Sequence, residues 1–209
     1  MAALRVLGLI ALLAASWALP LQAAPIYPAN PFLGDRDVFV SVDGIIRLDH
    51  ESLHPVWFAL EGLETDAPVV SGDTVMTGSN AGMFALDIDT GMMRWHIPSA
   101  TTLHSPVVND EVAFVSGTDG SVQAVDVNNG KQHWRRSLAG PLLTPAISGA
   151  RLVVGGAKGT LWALDRKDGS SQWRLSLEQE VAVRPVADEK GQVYVCTVGA
   201  QLVSVNGDT

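Results

Sequence analysis

The sequence predicts an all-β fold built from repeated units of about 39 residues. The tryptophans Trp57, Trp95, Trp134 and Trp173 follow one another at intervals of 38, 39 and 39 residues. Short runs rich in β-branched residues lie between them, separated by polar turns that contain glycine. No stretch after residue 24 has the periodicity of an amphipathic helix. A fixed period of this length is typical of a repeat architecture.

Each unit predicts four short strands in the same order. A unit opens with a proline before apolar residues, at Pro31, Pro68, Pro106, Pro145 and Pro185. A second β-rich run follows at residues 38–40, 75–77, 112–115, 152–154 and 193–195. Glycine turns such as Asp119-Gly120 then favour a hairpin, and a third strand leads to the strand with the tryptophan.

Four-stranded antiparallel units at this period predict the blades of a β-propeller, with about four and a half blades in the chain. The approximate unit limits are 31–66, 67–104, 105–143, 144–183 and a partial unit at 184–209. A β-sandwich is the alternative, but a sandwich does not require a tryptophan at a fixed position in every unit.

The third and fourth strands share an eleven-residue motif. Residues 85–95 read Ala-Leu-Asp-Ile-Asp-Thr-Gly-Met-Met-Arg-Trp, and the pattern recurs at 124–134 and 163–173. The first, third and seventh positions are Ala85, Ala124 and Ala163; Asp87, Asp126 and Asp165; and Gly91, Gly130 and Gly169. Glycine permits positive φ in a tight turn, and the aspartate can accept turn N–H groups. The small alanine leaves room for a ring, and we expect the tryptophans, including Trp57, to dock one blade on the next.

The pattern Ala-x-Asp-x-x-Thr-Gly-x-x-x-Trp resembles the tryptophan-docking motif of the pyrroloquinoline-quinone-type β-propeller repeat. The resemblance covers about residues 31–209. It implies either a quinoprotein dehydrogenase or a non-catalytic relative of the BamB-like proteins of outer-membrane assembly, and we expect the non-catalytic kind. The first unit departs from the motif, because Arg47 replaces the alanine and Leu53 the glycine, although Asp49 and Trp57 are kept. The fifth unit stops at the sixth motif position, so we expect a fragment of a longer protein.

The first 23 residues predict a cleaved signal peptide. Arg5 precedes the apolar run 6–19, and small residues then allow cleavage after Ala23. This run is shorter than a membrane-spanning helix requires. Residues 24–30 form a lead segment, and we expect a periplasmic or secreted protein without a transmembrane segment after cleavage.

Composition excludes some classes of function. The net charge of −8 argues against nucleic acid as a partner. Cys196 is the single cysteine, so the chain has neither an internal disulfide nor a cysteine beside the signal to carry a lipid anchor. Its Val-Tyr-Val-Cys-Thr-Val context predicts a buried side chain.

Several motifs suggest chemistry that their context does not favour. His50-Glu51-Ser52-Leu53-His54 matches a zinc-protease motif, but that motif needs a helix and this stretch occupies a turn. Residues 87–91 lack the distal glutamate of a calcium loop. His96, His104 and His133 are expected to be surface or packing residues, and Trp162 a packing residue. The sequence therefore assigns no catalytic, cofactor-binding or metal-binding residue.

The predicted function is an exported, non-catalytic scaffold that binds other envelope proteins, with BamB-like assembly as the nearest analogy. Loops at 62–66, 97–104 and 175–183 are candidate contact regions by position. The alternative is a fragment of an alcohol or sugar dehydrogenase dependent on pyrroloquinoline quinone and calcium. Enzymes of that kind carry a vicinal cysteine pair, an aspartate base and Glu/Asn calcium ligands, whereas Cys196 stands alone.

Overall fold

A computed structural model of the chain describes residues 31–34 and 37–207. Within these residues every regular element is a β-strand, and 19 strands form five sheets. The predicted signal peptide, the lead segment and the last two residues lie outside the described residues.

The strands follow one another through the sheets in chain order. The first sheet contains β1 (Phe32–Leu33), β2 (Asp37–Ser41), β3 (Ile45–Asp49) and β4 (Pro55–Ala59). The second contains β5 (Val69–Ser71), β6 (Thr74–Ser79), β7 (Gly82–Asp87) and β8 (Met93–Pro98). The third contains β9 (Val107–Asn109), β10 (Val112–Ser116), β11 (Ser121–Asp126) and β12 (Gln132–Ser137). The fourth contains β13 (Ala146–Ser148), β14 (Arg151–Gly156), β15 (Thr160–Asp165) and β16 (Ser171–Ser176). The fifth contains β17 (Val186–Ala187), β18 (Gln192–Cys196) and β19 (Leu202–Asn206).

Every sheet is an antiparallel meander in which each strand pairs with its neighbour in sequence. In the second, third and fourth sheets the motif alanine lies directly opposite the motif tryptophan, as in the pair Ala85 and Trp95. The register shifts immediately after this pair, between Ala85 and Leu86 in the second sheet. The ring beside each alanine therefore comes from the adjacent strand of the same sheet.

The hydrophobic core lies between successive sheets. One cluster joins Met76 and Trp95 of the second sheet to Ala113 and Val115 of the third. Equivalent clusters join the first sheet to the second, the third to the fourth, and the fourth to the fifth. Four-stranded sheets stacked face to face in chain order are the blades of a β-propeller, which confirms the predicted fold class.

The third strand of an inner sheet is buried on both faces. In β11 the side chain of Val125 faces the second sheet, whereas Ala124 faces the fourth sheet. Five consecutive residues of β11 are consequently buried, from Ser121 to Val125. Strands of an antiparallel sheet alternate apolar and polar residues where one face meets solvent, and this strand does not because both of its faces are covered.

The fifth sheet corrects the prediction for Cys196. Val193 and Val195 of β18 are buried against the fourth sheet, whereas Tyr194 and Cys196 point to the opposite face. Cys196 is therefore exposed. The apolar run predicted burial, but only one face of this sheet is packed against another described sheet.

The first strands of the third, fourth and fifth sheets lie next to one another. The strand β13 contacts both β9 and β17, its counterparts in the neighbouring sheets. The fourth strands lie at the other margin and are largely exposed apart from their tryptophans. The connections from a fourth strand to the next first strand cross from the outer to the inner margin.

Candidate interaction sites

Each motif tryptophan reaches from its own sheet to the next sheet along the chain. Its indole Nε1–H donates to the backbone carbonyl that follows the third motif position of the next unit. These hydrogen bonds join Trp57 to Ile88 (2.9 Å), Trp95 to Val127 (2.8 Å), Trp134 to Arg166 (2.9 Å) and Trp173 to Gly207 (3.0 Å). The same contact recurs at four junctions between the described sheets, so it satisfies the indole donor of the buried Trp57, Trp95 and Trp134 and of the partly buried Trp173.

The motif glycines lie against these indole rings. Gly91, Gly130 and Gly169 have φ of 70°, 71° and 72°, the positive values expected of a tight turn. A methyl group on Gly130 would lie 2.9 Å from Cδ2 of Trp95. A methyl group on Gly91 would lie 2.7 Å from Cδ2 of Trp57, and one on Gly169 would lie 2.6 Å from Cε3 of Trp134. Because glycine has no side chain, the indole ring of the preceding sheet can pack directly against the backbone at this position.

The motif aspartates shape the turn that holds this glycine. Asp87 Oδ1 accepts hydrogen bonds from the Asp89 and Thr90 amides at 3.1 and 2.9 Å. Asp126 accepts amides at the same two turn positions, and Asp165 accepts the amide at the first of them. Their carboxylates are thus engaged by the turn, as the sequence predicts.

Arg94 adds ion pairs to one of these turns. Its guanidinium lies 2.7 Å from Asp73 Oδ1 and 2.7 Å from Asp87 Oδ2. Hydrogen bonds from Arg94, and next from Thr90, hold the pKa of the Asp87 carboxyl well below its usual range. The pKa of Asp73 is also lowered, chiefly by its hydrogen bond from Arg94.

The divergent first unit replaces motif contacts with an arginine. Arg47, at the alanine position, pairs with Asp37 at 2.8 Å and donates to the Ile88 carbonyl at 2.7 Å. Leu53, at the glycine position, keeps a positive φ of 56°. The first sheet therefore retains the turn of the motif and adds a polar link to the second sheet.

A histidine links three consecutive connections between sheets. His104 Nδ1 lies 3.6 Å from Asp66 Oδ2, and His104 Nε2 lies 3.0 Å from the Leu142 carbonyl. Asp66 also accepts the Ala67 and Ser105 amides at 2.8 and 3.2 Å. Burial acts to raise the pKa of Asp66, but the hydrogen bonds from His104 and these amides outweigh it and lower the pKa.

Two of the three candidate loops are therefore brought together, because 62–66 and 97–104 meet at Asp66 and His104. The loop at 175–183 contacts the fifth sheet instead, through a 3.0 Å hydrogen bond from Thr197 to Gln179. The sequence predicts only a surface or packing role for His104 and does not predict this contact. Asp66 lies 38 residues before it, which is one repeat, so the two residues occupy equivalent positions in adjacent connections.

Comparison of the chain with models of protein families shows which family it belongs to. The model described as outer membrane protein assembly factor BamB matches residues 42–209. The chain belongs to the BamB family. Comparison with curated proteins found no match.

Solved structures share the fold of this BamB-family chain at low identity. BamB from Moraxella catarrhalis is 17% identical with a TM-score of 0.53, covering 87% of this chain and 74% of that protein. The computationally designed Ika8 protein is 17% identical with a TM-score of 0.74, covering 84% of this chain and 57% of that protein. BBS1N, solved in complex with ARL6DN, is 15% identical with a TM-score of 0.69, covering 87% and 64%. This BamB-family chain thus spans little more than half the length of Ika8.

The zinc-like motif of this BamB-family chain has no helix to support it. Residues 50–52 form the turn between β3 and β4, and His50, Glu51 and His54 are exposed. Among the residues that the structure describes, no three His, Cys, Asp or Glu side chains are grouped to hold a metal. The vicinal cysteines of quinoprotein dehydrogenases have no counterpart, since Cys196 is the single cysteine.

Two of the remaining histidines lie at the surface, and Trp162 lies in the core. His96 stacks on Phe84 with ring centroids 4.0 Å apart, and His133 is exposed on β12. Trp162 is buried in the core between the third and fourth sheets, and the Arg174 guanidinium lies 5.9 Å from its ring centroid. In the part of the chain described, no helix is long and apolar enough to cross a membrane.

Proposed function

We propose that this chain is a non-catalytic scaffold for protein–protein interaction in the bacterial cell envelope, with outer-membrane protein assembly as its setting. The family match over residues 42–209 is the observation on which the proposal rests. It places four-fifths of the chain in a family described by an assembly role rather than by a reaction.

The contacts of the motif support a scaffold. Its tryptophans, glycines and aspartates are engaged in turns and in junctions between sheets. The connections between sheets offer loops whose backbone is held by Asp66 and His104. Loops on a rigid sheet framework are where propellers usually bind their partners.

A crosslinking experiment tests this proposal. The full chain with a C-terminal affinity tag is expressed in a Gram-negative host, crosslinked in cells and purified under denaturing conditions. Mass spectrometry is expected to find envelope proteins of outer-membrane assembly, enriched over a matched chain that lacks residues 1–23 and stays in the cytoplasm. Equal recovery from the two chains would count against a scaffold in the envelope.

The enzymatic alternative is tested on the same purified chain. It is incubated with pyrroloquinoline quinone, Ca²⁺, an alcohol or a sugar, and a redox dye. A scaffold leaves the dye oxidised, whereas dye reduction that depends on the chain and the quinone would replace the scaffold with a dehydrogenase.

A further inference from the structure

The outermost strand of the first sheet differs from its counterparts. The strand β4 contains no charged residue, whereas β8, β12 and β16 each carry arginine. The two residues that flank the tryptophan differ most. They are Val56 and Phe58 in β4, Arg94 and His96 in β8, His133 and Arg135 in β12, and Gln172 and Arg174 in β16.

In the other sheets several of these flanking residues contact their own sheet. Arg94 pairs with Asp73, and His96 stacks on Phe84. Arg135 lies 3.3 Å from Asp119, and Arg174 lies over the ring of Trp162. The outer faces of these strands are thus covered by polar side chains.

In β4 the flanking side chains are apolar and face solvent. Val56 is 50% exposed and Phe58 is 55% exposed. Phe58 lies opposite Ile46 of β3, so two apolar residues are adjacent on this face. Burying Val56 and Phe58 would contribute favourable free energy that is not gained while they are exposed to water. The buried Trp57 between them already anchors the strand.

Among the described strands, β4 pairs only with β3, so its other backbone edge is open. This strand ends the first sheet, whose order is β1-β2-β3-β4. Proteins commonly protect such edges with charged side chains, since an unprotected edge pairs with other extended chains. The fourth strands of the next three sheets have charged side chains, whereas β4 has none and carries only Pro55, at its first position, as an edge-protecting residue.

Acidic residues flank both ends of β4. Glu51 lies in the turn before the strand, and Glu61 and Glu64 follow it; all three are exposed. Residues 31–66 contain eight acidic and two basic residues, a net charge of −6 against −8 for the whole chain. One of the two basic residues, Arg47, is paired with Asp37. A partner at this edge therefore meets an apolar strand between negative ends.

We propose that β4 is a docking edge for an extended segment of a partner protein. The segment adds to the first sheet as a further strand, with apolar residues at alternate positions and lysine or arginine at its ends. The apolar residues cover Val56 and Phe58, and the basic ends lie near Glu51 and Glu61. This inference rests on the proposed scaffold function and specifies where one partner binds.

A labelled peptide, Lys-Val-Thr-Val-Thr-Val-Lys, is the probe, titrated with the full chain and followed by fluorescence anisotropy at low salt. The same peptide with glutamate at both ends is expected to bind about 10-fold more weakly, because its ends repel the acidic flanks. Equal affinity of the two peptides, or no binding up to about 1 mM, would overturn the proposal.

Phe58→Arg places on β4 the kind of charge that the other fourth strands carry. It is expected to weaken binding of the lysine peptide at least about 10-fold, as loss of an interface anchor does. Met93→Arg on β8 is the matched control, because Met93 is 61% exposed on the fourth strand of the next sheet. The affinity of this variant for the lysine peptide should stay within about 2-fold of the wild-type value. An unchanged affinity for Phe58→Arg contradicts the proposal.

Hydrogen exchange separates strand addition from side-chain contact alone. The peptide is expected to slow amide exchange in β4, and protection confined to other strands contradicts docking at this edge. Sedimentation of the chain without peptide tests a second copy as occupant, and a dimer that Phe58→Arg abolishes would replace the peptide proposal. If envelope proteins are captured equally by wild type and Phe58→Arg in the crosslinking experiment, this inference fails while the scaffold stands.

Discussion

Glycine at the seventh motif position meets two constraints at once. Gly130 has φ of 71°, which disfavours any side chain, and its Cα faces the ring of Trp95. Gly149 meets only the first constraint, because its φ is 54° and nothing lies within 4 Å of a methyl group placed there. The two glycines therefore separate backbone strain from contact with the ring.

Gly130→Ala is predicted to destabilise the chain more than Gly149→Ala. Both substitutions cost about 1–2 kcal/mol for a left-handed backbone. Gly130→Ala adds about 1–3 kcal/mol because its methyl group must displace the indole. Urea denaturation measures the free energy of unfolding of both variants. Equal losses of this free energy would contradict direct packing of the Trp95 ring against Gly130.

The ion pairs of Arg94 predict a dependence of stability on pH. The pKa of Asp87 is lower in the folded chain than in the unfolded chain, where it is about 3.9, so the unfolded chain binds more protons in acid. The stabilisation is complete above that value and is lost as the pH falls below it. Arg94→Gln is predicted to flatten the fall in urea midpoint between about pH 4 and pH 2.

Arg174→Gln is the control, because the Arg174 guanidinium lies over a ring rather than on a carboxylate. Its urea midpoints should keep the acid dependence of the wild type. A wild-type slope in Arg94→Gln would contradict a role for these ion pairs.

The sequence predicted the residue contacts that belong to the repeated motif, and it did not predict features that occur only once. The positive φ of Gly91 and the turn acceptor Asp87 follow from the motif itself. The exposure of Cys196 does not, because an apolar run does not show how many faces of its sheet are covered. The contact of His104 with Asp66 depends on how two connections cross the sheets.

At the scale of the element, the tryptophan strands connect one sheet to the next. Trp134 is 6% exposed, packs in the core between the third and fourth sheets, and donates to Arg166. Burying an indole contributes roughly 4–6 kcal/mol before entropy. The period predicted the position of these rings, but not their hydrogen-bond acceptor, because that carbonyl lies in the following unit.

Trp134→Ala is predicted to lower the free energy of unfolding by about 3–5 kcal/mol, since it leaves a cavity between two sheets. Trp134→Phe keeps most of the ring and loses the N–H donor, so a loss of about 1–3 kcal/mol is expected from the unpaired Arg166 carbonyl and the smaller ring. Calorimetry or urea denaturation measures both. An unchanged melting temperature for Trp134→Ala would remove the basis for docking by this residue.

At the scale of the whole molecule, the repeat period was sufficient to predict the fold. Four strands and one tryptophan per unit left few arrangements, and five successive sheets with cores between them are observed in the described residues. The role of β4 could not be predicted in that way. Its difference from β8, β12 and β16 becomes visible only when equivalent strands are compared in one register.

The signal prediction also concerns the whole molecule. Expression of the full chain in a Gram-negative host is expected to yield a mature protein that begins at Ala24, since cleavage after Ala23 follows small residues. N-terminal sequencing of the protein released from the periplasm checks this. A chain that keeps Met1 and remains with the membrane would indicate an uncleaved anchor.

The central structural claim is that the tryptophan ring of one unit packs directly against the motif glycine of the next unit. A double-mutant cycle of Trp134→Ala and Gly169→Ala tests it, because a methyl group on Gly169 would lie 2.6 Å from Trp134 Cε3. Removing the ring should make Gly169→Ala less costly, so the free energies of unfolding are predicted to be non-additive by about 1 kcal/mol or more. Additive losses, within about 0.5 kcal/mol, would contradict the claim.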